Sequence, residues 1–88
     1  MIQTIKITKP TEAFVDYGIG EIQSRILVDD TYDATDLQVT KESIYFELWD
    51  EDGKIAEYNI DIKWINNIKF APEYVAELRE KQINSIIK

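Results

Sequence analysis

The sequence predicts an α+β domain: a mostly antiparallel β-meander of four to six strands with one C-terminal helix packed on the sheet. Three observations carry that reading. Runs rich in β-branched and aromatic residues alternate with polar ones at a period of two. Turn-forming clusters such as Gly18-Ile19-Gly20 and Asp52-Gly53 separate the runs. From Pro72 onward the spacing becomes helical. No repeat or linker breaks the 88 residues, so residues 1–88 are read as a single domain. A domain of this size removes roughly 60 to 65% of its unfolded surface from water.

Residues 2–8 make the first strand, with Ile5 and Ile7 alternating with Lys6 and Thr8. Residues 13–17 read as a short strand turning at Gly18, with a short helix after Pro10 as the other option. In the strand at 21–28, Ile22, Ser24, Ile26 and Val28 share one face, expected to meet the core, while Glu21, Gln23 and Arg25 face water. The run from Asp29 to Asp36 is expected to be a hydrated loop, since aspartates bond to their local backbone. A short strand follows at 37–40.

The hairpin formed by strands 43–49 and 54–64 fixes its own register. A two-residue loop would set Leu48 against Glu57 and Ile44 against Asp61. A four-residue loop would set Phe46 against Glu57. Only the three-residue loop Glu51-Asp52-Gly53 gives one uniformly apolar face, pairing Leu48 with Ala56, Phe46 with Tyr58 and Ile44 with Ile60. It also puts Gly53 at the left-handed position such loops favour. The opposite face then carries Tyr45, Glu47 and Trp49 against Asn59, Glu57 and Ile55, with two like charges directly opposed. Tyr58 and Trp64 are in phase with Ile60 and Ile62 and are expected in the core.

A final strand is placed at 68–70 and the helix at about 72–87. Pro72 suits a first helical position, Glu73 and Glu77 lie near the positive helix end, and Glu77 precedes Lys81 by four residues. Tyr74, Val75 and Leu78 cluster on one side. Ile83, Ile86 and Ile87 lie elsewhere on the helix and are read as the contact of a homodimer.

Charge narrows the function classes. The net charge is −7, yet from Asp29 to Asp61 there are 11 acids against only Lys41 and Lys54, so the whole excess lies in the middle third. Phosphate binding needs clustered Lys and Arg, so direct nucleic-acid binding is not expected. With no histidine there is no serine-type triad and no ordinary acid/base group at neutral pH. With no cysteine and no basic-then-apolar leader, a reducing cytoplasm is expected; with no long apolar run, a membrane location is not.

Two short motifs bear on chemistry. Asp50-Glu51-Asp52-Gly53 matches the middle of a calcium loop, but Leu48 and Asn59 fall on its first and last ligand positions, so it reads as a turn. Asp61-Ile62-Lys63, with Asp50 or Asp52 upstream, resembles the acid-x-lysine arrangement of the PD-(D/E)xK nucleases, in which two carboxylates hold magnesium and a lysine on the same strand face places a water. That resemblance implies a magnesium-dependent hydrolase.

The expected role is nevertheless non-enzymatic: a small acidic module that binds another protein, a basic one, through Tyr45, Glu47, Trp49, Asp50, Asp52, Ile55 and Glu57. No catalytic residue, metal ligand or cofactor is assigned. An acidic nucleic-acid mimic of the phage type, blocking the groove of a DNA- or RNA-binding protein, is the alternative.

Overall fold

The computed structural model describes residues 2–18, 20–49 and 52–80, with side chains as far as Leu78. Its strands are β1 (Ile2–Ile7), β2 (Thr11–Asp16), β3 (Ile22–Leu27), β4 (Asp30–Val39), β5 (Ser43–Trp49), β6 (Ile55–Asp61) and β7 (Ile68–Phe70). A 3₁₀ helix, Ile62–Asn67, lies between β6 and β7, and α1 (Pro72–Glu80) follows. All seven strands form one antiparallel sheet in the order β3-β2-β6-β5-β4-β1-β7. The α+β class is as expected. The strand count exceeds the expected four to six because both short segments, Thr11–Asp16 and Ile68–Phe70, find partners.

Chain reach shows that this sheet is coiled. In the strand order, β1 and β2 are four spacings apart, about 19 Å if flat. Only Thr8, Lys9 and Pro10 join Ile7 to Thr11, a reach of at most about 14 Å. The ladder also makes β1 and β2 run the same way, so the link must bring the end of one to the start of the other. Coiling satisfies both conditions, and polar contacts hold the join. The Thr8 N–H and hydroxyl donate to the Asn67 carbonyl at 2.8 and 3.0 Å. The Asn67 side-chain amide donates to the buried Thr11 hydroxyl at 3.2 Å, which in turn donates to the Lys9 carbonyl at 2.8 Å.

The concave side is the core. Leu27 from one end of the sheet and Ile68 and Phe70 from the other belong to the same buried cluster as Ile5, Ile44, Phe46 and Ile60. Phe46 and Tyr58 stack with ring centroids 5.3 Å apart. Helix α1 begins with Pro72 and Glu73, the Tyr74 and Val75 N–H groups both donating to the Ala71 carbonyl. It turns Tyr74 and Leu78 into the core, and the Tyr74 hydroxyl donates to the Leu37 carbonyl at 3.1 Å. Val75 packs half-buried beside them. The proposed dimer contact Ile83, Ile86 and Ile87 lies outside the described residues.

Four expectations are corrected. The segment from Asp30 is strand, not loop: Tyr32 and Ala34 turn inward, Asp36 adopts φ 51°, and Leu37 and Val39 resume the inward side. Asp36 is the extra residue of a bulge, because three steps from Thr35 to Gln38 match two from Glu47 to Tyr45. Strand β3 presents the opposite face to that expected: Leu27 is buried and Arg25 points to Tyr58, while Ile22, Ile26 and Val28 are exposed. The reason lies in β2, whose inward residues Thr11, Ala13 and Val15 pair with Leu27, Arg25 and Gln23. Strand β6 ends at Asp61 rather than residue 64, because the Asp61 carboxylate accepts from the Lys63 N–H at 3.0 Å and caps the 3₁₀ helix. Trp64 is thereby taken out of strand phase and stays 38% exposed.

Candidate functional site: the convex face of the central hairpin

The hairpin register is the one the apolar pattern demands. Ile44 pairs with Ile60, Phe46 with Tyr58 and Leu48 with Ala56, and Gly53 has φ 77°. Glu47 therefore stands opposite Glu57, Tyr45 opposite Asn59 and Trp49 opposite Ile55. Neither α1 nor any other described element covers this convex side: Trp49, Ile55, Glu57 and Asn59 are exposed, and Tyr45 and Glu47 are partly so.

The opposed glutamates are joined by a hydroxyl. The Tyr45 O–H lies 2.7 Å from Glu47 Oε2 and 2.8 Å from Glu57 Oε1, so its single proton is shared between two carboxylates. Partial burial of the phenol, then its hydrogen bonds to the two glutamates and their negative charge, hold its ionisation above the ordinary tyrosine range. The bridge was readable in principle. Tyr45 is two residues from Glu47 on the same strand face and diagonal to Glu57 across the ladder.

Trp49 is held from the neighbouring strand. Its indole N–H donates to Thr35 Oγ1 at 3.0 Å, and that hydroxyl donates to the Glu47 carbonyl at 3.4 Å. The ring is 56% exposed, yet its polar edge is fixed.

Strand β2 widens the face beyond the expected residues. Its pairing with β6 sets Phe14 beside Asn59 and Asp16 beside Glu57, while its pairing with β3 adds Ile22 beside Asp16. Phe14, Asp16, Ile22, Tyr45, Glu57 and Asn59 line one shallow open groove. Strands β2, β5 and β6 contain no Lys or Arg, whereas Lys6 and Lys69 pair at the far end of the sheet. Sequence alternation signalled Phe14 and Asp16 as one face of a strand; that β2 adjoins β6 is a long-range pairing with no local signal.

Near the hairpin tip a recess is lined by Tyr17, Arg25, Leu48, Ala56 and Tyr58 together with Trp49, Lys54 and Ile55. The Arg25 guanidinium donates to the Tyr58 hydroxyl at 2.7 Å. Burial raises the Tyr58 ionisation, and the guanidinium beside it opposes that rise.

Of the other expected contact residues, Asp52 is exposed in the turn and Asp50 lies outside the described residues. The acid-x-lysine triplet does not assemble with the hairpin tip. Asp61 pairs with Ser43 at one end of the ladder and Ile55 with Trp49 at the other, six residues or about 20 Å apart. Lys63 lies on the 3₁₀ helix, its ammonium 5.2 Å from the Trp64 ring centroid, so the same-strand-face relation to Asp61 is absent. No group of three or more metal-ligating side chains occurs among the described residues.

No family model, curated protein or solved structure matches this chain. The surface itself must carry the functional reading. Among the described residues no helix is long and apolar enough to cross a membrane.

Proposed function

We propose that the protein is a non-enzymatic binding module whose convex hairpin face engages a basic protein in a reducing cytoplasm. One observation carries this reading: exposed Trp49 is locked by its N–H beside two glutamates held together by Tyr45. A fixed aromatic with a polar rim is the usual make-up of an interface anchor, since its area is large and little side-chain freedom remains to be lost on binding. The acids Asp16, Glu47 and Glu57, with no Lys or Arg from β2, β5 or β6, select a partner patch of opposite sign. The absence of cysteine suits the reducing compartment.

Affinity capture from the native host with wild type and a Trp49→Ala/Glu47→Lys variant tests the reading. A protein enriched on wild type and lost on the variant supports it; the same proteins captured by both contradict it.

A further inference from the structure

We infer that β3 is a homodimerisation edge, pairing antiparallel with β3 of a second copy about Ser24 and joining two coiled sheets into one. Strand β3 bonds to β2 on one side and ends the sheet on the other, so among the described residues one row of its backbone groups has no strand partner. The opposite edge, β7, is only three residues long and runs into α1. Long edges in soluble proteins are blunted by proline, bulges or outward charges. Ile22–Leu27 has none of these: its one charge, Arg25, is turned to the concave side and tied to Tyr58. Its convex side instead shows Ile22 at 70% and Ile26 at 55% exposure, with Val28 just beyond it at 57%.

The strand is complementary to itself in one register. Centred on Ser24, Ile22 of each copy meets Ile26 of the other on the convex side. On the concave side Arg25 meets Gln23 directly, with Glu21 and Arg25 of the other copy at its two diagonals, so no like charges stand directly opposite each other. Centring on Arg25 would set two guanidinium groups against each other. Centring on Gln23 would set Ile22 against Ser24 and Ile26 against Gly20. Steps of one residue preserve the continuity of the two faces in each case, so charge and apolar pairing choose the register. The partner is thus a second copy of this chain, and the contact adjoins the hairpin face, with which it shares Ile22.

Sedimentation equilibrium on the full chain, from about 5 to about 500 μM, covers weak to moderate association. Wild type should reach twice the 10.3 kDa of one chain. Ile22→Lys/Ile26→Lys places like charges opposite each other and should remain a monomer. Ile22→Glu/Ile26→Lys removes the same apolar contacts but opposes unlike charges, and should recover the dimer. A single-chain mass for wild type across the range overturns the inference, as do equal masses for the two double variants. Hydrogen exchange on wild type needs no substitution: amides of residues 22–27 should exchange more slowly as concentration rises, and rates independent of concentration also overturn it.

Discussion

The Tyr45 hydroxyl stands between two acceptors, 2.7 Å from Glu47 and 2.8 Å from Glu57, in the one register that opposes those acids. Its removal in Tyr45→Phe should lower stability by about 1 kcal/mol in urea unfolding, the worth of a partly exposed hydrogen bond to a charged group. The effect has a pH signature. Because the folded chain raises the phenol's ionisation, its contribution is complete below the unfolded tyrosine value of about 10 and is lost as pH climbs above it. The stability gap between wild type and Tyr45→Phe should therefore narrow above about pH 10. Tyr58 and Tyr74 are also shifted upward, but both proteins share them. A gap that stays constant with pH would show that the hydroxyl is not held in its neutral form by these carboxylates.

At the scale of the element, β4 shows why part of the fold was hidden. Its inward residues, Tyr32 and Ala34 and then Leu37 and Val39, change parity across Asp36, so no single alternation runs through the strand. The bulge at φ 51° makes a testable position. Asp36→Gly should keep or slightly raise stability, while Asp36→Val should cost about 1–2 kcal/mol because a β-branched residue resists positive φ; equal midpoints in urea would contradict the bulge. The β5–β6 hairpin was legible because only one loop length sets Ile44, Phe46 and Leu48 against apolar partners. Strand β3 was not, because Ile22, Ser24 and Ile26 against Gln23, Arg25 and Leu27 is a two-sided pattern whose orientation β2 decides. The end of β6 was missed for a local reason: the Asp61 cap outweighed continued alternation through Ile62 and Trp64. The candidate face followed the same division. Tyr45, Glu47, Trp49, Ile55 and Glu57 came from the hairpin register, whereas Phe14, Asp16 and Ile22 join them through the β2–β6 and β2–β3 pairings.

Across the whole molecule, coiling separates the two sides of the sheet into different tasks. The concave side collects Leu27 of one edge and Ile68 and Phe70 of the other, and the convex side around β2, β5 and β6 is left acidic and aromatic. On the proposed role, binding would use a fixed apolar anchor as well as charge, so raising salt should weaken it less steeply than it would weaken a pure mimic of nucleic-acid phosphates. Competition by DNA for the same partner, with affinity collapsing as salt rises, would favour mimicry instead. Calorimetric titration of the captured partner against wild type and Trp49→Ala/Glu47→Lys, at low and high salt, tests the central claim most directly. The expected result is a loss of about 100-fold in affinity, or about 2.7 kcal/mol, that persists at high salt. Affinities within about twofold of each other, a difference of about 0.4 kcal/mol, would show that the partner binds elsewhere.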